Sequence, residues 1–344
     1  APIFGIIGGI SMYKFSLVIS ALVFIALSSL ATTLFIICKN KVIAFFGCLA
    51  VNFAIAILPM LYDSTYYLQY FPHRVLFPAV LLLGCALLFR LRQSSKYKFA
   101  VIAGFIFCCF GTLWNFDTGL VSLISYCGFV AYIKLYQFPL REKNTIKYLI
   151  YISLCFLGTL ALAFLILLLV TYSRTGKILN PIDIFYAQTS FYGDGFYMIR
   201  MSPIHPWLIL IGVYLVSLTK GIRELAIFRS GLSQYSFEQS VFFFLMPVLG
   251  MGIFSYYQGR SHDYVLPAVI WPGIIILVLF IQEYANDICS LPQNCTSTAK
   301  PFNSAKILPL IKYFIAGLIM SFIVSSFLVN MLDDTRLTYA KSMA

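Results

Sequence analysis

Long apolar stretches alternate with short polar connections along almost the whole chain. A transmembrane helix needs about 20 predominantly apolar residues, and roughly ten stretches approach or reach that length. The pattern therefore predicts an all-α protein, a polytopic transmembrane helix bundle of about ten spans that forms a single domain over residues 1–344. The predicted spans are 15–38, 42–61, 75–89, 99–114, 119–136, 148–171, 207–219, 240–256, 264–282 and 307–329.

The composition points to a membrane protein rather than a soluble one. Hydrophobic residues make up 61% of the chain, charged residues 10%, and the mean hydropathy is +0.90. A soluble domain would not carry this much apolar surface. The net charge of +12 fits basic residues that hold loops at the cytoplasmic face, because no long basic tract occurs. We therefore expect the lipid bilayer as a partner and no nucleic acid.

Charge is unequal between the two sets of alternate loops. About twice as many Lys and Arg residues fall in one set as in the other, and the positive-inside rule places the richer set in the cytoplasm. Both termini are then extracytoplasmic. All three histidines and most aspartates fall in the extracytoplasmic loops, whereas every glutamate falls on the other side. We therefore expect a functional site at the extracytoplasmic face.

Four polar constellations occur in the predicted extracytoplasmic loops. They are the loop that contains Asp63 and ends in Phe71-Pro72-His73-Arg74, the turn Trp114–Gly119, the long loop 173–206, and the turn Tyr257–Asp263. Ionisable residues at membrane depth are costly, so they tend to face a cavity and to be paired or functional. The candidate catalytic residues are Asp63 and Asp117, and the candidate substrate-binding residues are His73, Arg74, Asn115, Asp194, Arg200, His205, Arg260, His262 and Asp263.

These residue types suit phosphate chemistry. Arg presents a planar fork of donors that matches phosphate oxygens, and His73 and His262 would add positive charge. The aspartates could orient those cations, bind a divalent cation, or take a proton from a hydroxyl group.

Other interpretations stay open. Arg74 could contact lipid headgroups, Asp117, beside Asn115, could merely cap the following helix, and the long loop could be a lid or acceptor-binding element or a plain surface loop. Aromatic residues at span ends are typically interface anchors; here they are Tyr66, Tyr67, Tyr256 and Tyr257.

Nucleotide and metal motifs do not occur in the sequence. There is no Gly-rich phosphate loop, no G-x-G-x-x-G after a strand, and no spacing typical of metal ligands. We therefore expect no metal centre and no required cofactor, apart from the divalent cation that the aspartates could bind.

Four segments resemble parts of the GT-C superfamily, integral-membrane glycosyltransferases that use polyprenyl-phosphate or diphosphate sugars as donors. The segment Phe71–Phe77 is similar to the arginine-plus-aromatic entry to a later helix. Trp114–Gly119 and Tyr257–Asp263 are similar to the outward loop tips of such enzymes. Ala1-Pro2-Ile3-Phe4-Gly5 is similar to the end of the first extracytoplasmic loop of that superfamily.

The resemblance implies a mechanism and partners. A polyprenyl-linked sugar donor would be held by Arg and His, and a carboxylate would deprotonate a hydroxyl of a glycan, lipid or protein acceptor. In that superfamily the catalytic acid follows the first helix, but residues 1–13 contain no acid. Either that helix and its acid lie upstream of Ala1, or Asp63 or Asp117 is the base.

Three other functions compete with this one. A polysaccharide polymerase or ligase of the cell envelope also combines many spans with one long extracytoplasmic loop that contains Arg and His. A transporter would place charges near mid-span and interrupt its helices. A purely structural membrane subunit would not need its polar loop residues to face one cavity.

Overall fold

The computed structural model describes residues 11–57, 72–137, 143–178, 205–228, 237–259 and 265–289, with positions 180, 182 and 186. Within these residues the protein is all-α. The helices are α1 (Met12–Ile37), α2 (Lys41–Asn52, continued by a π-helix at Phe53–Ile57), α3 (Leu76–Arg90), α4 (Tyr97–Trp114), α5 (Phe116–Gln137), α6 (Lys143–Thr175), α7 (Trp207–Phe228), α8 (Phe237–Gly259) and α9 (Leu266–Cys289).

Each predicted span from 15–38 to 264–282 coincides with one of these helices. Among the described residues, seven helices are long and apolar enough to cross a membrane. The chain is therefore an integral multi-pass membrane protein. The apolar part of α2 is shorter than a full crossing, Lys41–Ile55, and α7 is not among the seven. The predicted span 307–329 lies outside the described residues.

Two helices begin at asparagines whose side chains satisfy backbone donors. Asn40 Oδ1 accepts hydrogen bonds from the amides of Val42 (2.9 Å) and Ile43 (3.3 Å) at the start of α2. Asn115 Oδ1 accepts from the amide of Thr118 (3.0 Å) at the start of α5. Asn is among the preferred N-cap residues because it satisfies amides that have no intrahelical acceptor. Each of these helices thus begins with its first amides satisfied, although only three residues separate α1 from α2 and one separates α4 from α5.

The helices differ sharply in how much of their surface is covered. The best apolar window of α9 is 89% buried, whereas that of α6 is 17% buried. α9 is therefore the central helix, packed against α2, α7 and α8, and α6 is peripheral. With 33 residues, α6 is about 50 Å long. It exceeds a hydrocarbon core of about 30 Å, so it must tilt or extend beyond the bilayer.

Small residues let the central helices approach closely. Tyr214 of α7 is fully buried and lies beside Gly250 of α8 and Gly273 of α9; a Cβ at Gly250 would overlap the tyrosine ring. Pro247 has no amide hydrogen, which leaves the Phe243 carbonyl of α8 without its helical donor. The Ser217 hydroxyl of α7 donates to that carbonyl at 2.8 Å. Close backbone contact and polar bridging of this kind hold membrane helices together.

The extent of α7 corrects one sequence prediction. The predicted span 207–219 ends just before Lys220 and so places Lys220 and Arg223 in the following loop, but α7 continues to Phe228 and contains both. Lys220 forms an ion pair with Glu283 of α9, and its ammonium lies 4.4 Å from the Phe243 ring centre. Lys220 is therefore a packing residue between helices rather than a solvated topology charge.

Contacts between helix ends show which residues lie at each end of the bundle. At one end, which we call the site end, lie residues 72–75, 114–118, 205–207 and 254–258. At the other end, Arg92 lies over the rings of Phe89 and Phe237, 4.4 Å and 5.0 Å from their centres. The end of α3 therefore meets the start of α8 there, as alternating helix directions require.

Candidate functional site

His73 and Arg74 lie on a single turn that leads into α3. The amides of Val75 and Leu76 donate to the Pro72 carbonyl at 3.2 Å and 3.0 Å. Proline suits the start of such a turn because its fixed φ favours the turn and its missing amide is not needed there. The turn presents two polar side chains in sequence just before the apolar part of α3.

Arg74 is held between a carboxylate and an aromatic ring. Its Nη1 lies 3.5 Å from Asp117 Oδ2 of α5, and the two side chains are 19% and 30% exposed. Its guanidinium carbon lies 3.5 Å from the ring centre of Tyr256 in α8. Each contact contributes about 1 kcal/mol, against about 2 kcal/mol of side-chain entropy for a free arginine. Arg74 is therefore oriented, but its contacts are weak enough for a ligand to replace them.

Asn115 connects His73 to the start of α5. Its Oδ1 accepts from the Thr118 amide at 3.0 Å and from the Thr118 hydroxyl at 3.1 Å. Its Nδ2 lies 3.0 Å from His73 Nε2. The same residue thus caps α5 and contacts the imidazole, while Asp117, two positions later, contacts Arg74.

Trp114 fastens the His73 turn to the end of α4. The indole Nε1 donates to the His73 carbonyl at 2.9 Å, and the two rings lie 5.6 Å apart. One residue separates α4 from α5, and a Cβ at Gly119 would overlap the backbone of Thr112, so this hairpin needs glycine there. The close α4–α5 pair brings Trp114, Asn115 and Asp117 to one corner.

The pKa of His73 lies below its ordinary value. Burial is the main cause, because it disfavours the charged imidazolium, and the adjacent Arg74 lowers the pKa further. Asp117 acts in the opposite direction but does not outweigh these two causes. The direction of this pKa shift disfavours the positive charge expected of His73.

A second histidine lies at the same end of the bundle. His205 precedes α7, and its Nδ1 is 3.4 Å from the Tyr257 hydroxyl. The two rings are 6.2 Å apart and nearly parallel, at 18°. Tyr257 follows Tyr256, whose ring contacts Arg74. The end of α8 therefore connects His205 to Arg74.

Both tyrosines at the end of α8 are buried. Tyr256 is 8% exposed and Tyr257 is 1% exposed. The interpretation of these two residues as headgroup anchors is therefore wrong, because interface anchors face lipid and water. Sequence reasoning missed their role because a tyrosine near a span end has the same pattern in either case.

Four of the predicted site residues thus form one group, which we call the Arg74 group: His73, Arg74, Asn115 and Asp117. His205 is connected to it through Tyr257. The helix cap expected of Asp117 is supplied by Asn115 instead, since Asn115 Oδ1 accepts from the Thr118 amide and Asp117 lies in the first turn of α5. Asp63, Asp194, Arg200, Arg260, His262 and Asp263 lie outside the described residues. Within the part of the chain that the structure describes, no three His, Cys, Asp or Glu side chains are grouped so that they could hold a metal ion.

Comparison with known proteins gives no relative for this chain. No family model matches it, and no curated protein or solved structure matches it significantly.

Proposed function

We propose that the protein is a membrane glycosyltransferase that moves a sugar from a polyprenyl-phosphate-linked donor to an acceptor at the extracytoplasmic face. The proposal includes about ten spans and extracytoplasmic termini. The acceptor belongs to the class of glycans, lipids or proteins that carry a nucleophilic hydroxyl. No cofactor is required, although the aspartates could recruit a divalent cation to the donor phosphate.

The Arg74 group is the observation that carries this proposal. A half-buried guanidinium at the end of a membrane bundle, oriented by Asp117 and Tyr256, suits a phosphate that enters from the adjacent leaflet. Arg is the residue best matched to phosphate oxygens. Since the contacts that hold it are weak, the phosphodiester anion of the donor can replace Asp117 as its partner.

The proposed reaction divides the carboxylates between two roles. Asp117 orients Arg74 before the donor binds, and Asp63 is our candidate for the base. The base takes the proton of the acceptor hydroxyl, whose oxygen attacks the anomeric carbon. The bond between that carbon and the phosphate oxygen breaks, and polyprenyl phosphate leaves with the electron pair. Arg74 stabilises the charge that develops on the leaving phosphate.

The test compares arginines at the two ends of α3. Purified protein in liposomes receives polyprenyl phosphate carrying radiolabelled glucose, mannose or galactose, together with extracted membrane glycans and lipids as acceptors. Arg74→Ala should lower transfer by about 100-fold, as loss of one charge-stabilising donor typically does. The matched control Arg90→Ala removes an exposed arginine from the opposite end of α3 and should leave transfer within about twofold.

Two results would contradict the proposal. If no labelled donor supports transfer by the unmodified protein, the reaction class is wrong. If Arg74→Ala and Arg90→Ala behave alike, the Arg74 group is not the site. Asp63→Asn and Asp117→Asn then distinguish the proposed glycosyltransferase from a polysaccharide polymerase or ligase, because a polymerase or ligase should depend on these carboxylates much less.

A further inference from the structure

The hydrogen bonds of Asn115 determine the orientation of its side-chain amide. Two groups of Thr118, the backbone amide and the hydroxyl, approach the same Asn115 atom at 3.0 Å and 3.1 Å. A backbone N–H can only donate, so that atom must be the carbonyl oxygen. The other terminal atom, which faces His73, is therefore the NH₂ group.

This orientation in turn determines the protonation of His73. The NH₂ group of Asn115 has no lone pair to offer, so His73 Nε2, at 3.0 Å, must accept the hydrogen bond. A ring nitrogen that accepts carries no proton. The proton of the neutral ring is then on Nδ1, since the bond made by one ring nitrogen sets the state of the other.

The charges around His73 are compatible with a neutral ring. Arg74 follows it on the same turn, and Asp117 of α5 neutralises that guanidinium through their ion pair. From α4 the packed neighbour is the uncharged Trp114, and Tyr256 of α8 covers Arg74. The described neighbours thus contribute one cation and one anion, which leaves no excess negative charge to favour an imidazolium.

We infer that His73 serves the site as a neutral imidazole with its proton on Nδ1, and that Asn115 is the positioning residue that sets this tautomer. His73 then offers an N–H donor, not a positive charge, to an oxygen of the ligand. That last role rests on the proposed function, whereas the tautomer and its control by Asn115 do not.

Protonation of His73 has a structural consequence under this arrangement. An imidazolium places an N–H on Nε2 directly opposite the NH₂ group of Asn115, so two donors face each other. Relief requires the amide to turn, which withdraws Oδ1 from the Thr118 amide and removes the cap of α5. Asp117, the ion-pair partner of Arg74, lies in the first turn of α5. The charge state of His73 is therefore coupled to the position of Asp117.

Nuclear magnetic resonance of ¹⁵N-histidine in the full chain tests the inference directly. The chain has three histidines, and His73→Gln identifies the His73 signals. At neutral pH the signals should show a protonated Nδ1 and an unprotonated Nε2, which is the minority tautomer of imidazole in water. Titration should give a His73 pKa below the ordinary value of 6.5.

Two substitutions at Asn115 separate a tautomer-setting role from a purely structural one. Asn115→Asp and Asn115→Ser both keep a good N-cap, so α5 should still form. The aspartate would accept from Nε2–H and should raise the His73 pKa above that of the unmodified protein, while the serine should restore the Nε2-protonated tautomer as a major species.

The inference is overturned if His73 of the unmodified protein carries its proton on Nε2, or if neither variant changes the tautomer or the pKa. Inorganic phosphate and polyprenyl phosphate are then added to the unmodified protein. A shift of the Nδ1 signal with polyprenyl phosphate supports the donor role, and no shift with either probe overturns that role while leaving the tautomer result intact. Failure of the sugar-transfer assay alone would concern the proposed function and not this inference.

Discussion

Arg74 shows how a single side chain acquires a function through its neighbours. In the sequence it is one arginine beside a span, a position that headgroup-binding arginines also occupy. In the structure it lies between Asp117 and Tyr256, which come from helices far apart along the chain. Neither contact is strong, but together they keep the guanidinium pointed at one place and leave it available to a phosphate.

The stability of the protein should fall in acid because of His73. The pKa of His73 is lower in the folded state than its ordinary value of 6.5, so the unfolded chain binds the proton more tightly. Stability is then fully present above the unfolded pKa and is lost as the pH falls through the folded pKa. We expect the melting temperature in detergent to fall less in acid for His73→Gln than for the unmodified protein. Equal losses in both would contradict this.

Gly250 should tolerate no side chain. A Cβ there would overlap the Tyr214 ring, and overpacking of a core typically costs about 1–3 kcal/mol. Gly250→Ala should therefore lower the melting temperature in detergent. The control is Gly84→Ala in α3, where a Cβ would meet nothing within 4 Å. A similar melting temperature for both variants would show that the α7–α8 contact is looser than described.

The helix α7 illustrates how an element extends beyond its apolar pattern. Its hydrophobic run ends near residue 219, and the sequence pattern alone predicts that a loop begins at Lys220. The helix continues because Lys220 meets Glu283 of α9 and lies near the rings of Phe243 and Phe280. Because the low-dielectric surroundings make an unpaired charge expensive, the two residues depend on each other.

A double-mutant cycle on Lys220 and Glu283 tests this dependence. Lys220→Met and Glu283→Met should each destabilise the protein by about 3 kcal/mol, because each removes one partner of the ion pair between the helices, while the double variant should recover most of that loss. Chemical unfolding in mixed detergent measures the difference. The exposed Lys98→Met is the control and should change stability little. Additive losses in the double variant would show that the two residues do not interact.

For the whole bundle, the important feature is the separation of its two ends. The His73–Arg74–Asp117 group and His205 occupy one end, and Arg92 with Phe237 occupies the other. This geometry makes one face of the membrane the site of the proposed reaction. The separation of the two ends does not depend on the direction in which the bundle is inserted.

Cysteine labelling of intact cells tests the direction of insertion. Gln258→Cys at the site end and Ser95→Cys between α3 and α4 replace exposed residues. A membrane-impermeant maleimide should label Gln258→Cys from outside and Ser95→Cys only after the membrane is opened. The described native cysteines are buried or half-buried, and the unmodified protein gives the background. Labelling of both positions from the same side would contradict the separation of the two ends.

Helix positions were largely predictable from the chain, whereas the composition of the site was predictable only in part. The spans around α1, α3, α4 and α5 follow from apolar runs bounded by polar residues, and His73, Arg74, Asn115 and Asp117 stood out as polar residues at those boundaries. Tyr256 and Lys220 were misinterpreted. For both, the decisive partner is on another helix, and nothing in the local sequence reveals that partner.

The apolar runs are enough to make this a helical membrane protein, because a backbone in lipid must satisfy its own hydrogen bonds and a helix does so locally. Which polar ends meet is a different question, since it depends on close contacts between helices such as those at Tyr214 and Gly119. Those contacts bring Asp117 and Tyr256 to Arg74, and they orient Asn115 toward His73. The tertiary structure therefore decided how the site residues pair and that the pKa of His73 is lowered, because only packing brings their partners within hydrogen-bond distance and buries the imidazole.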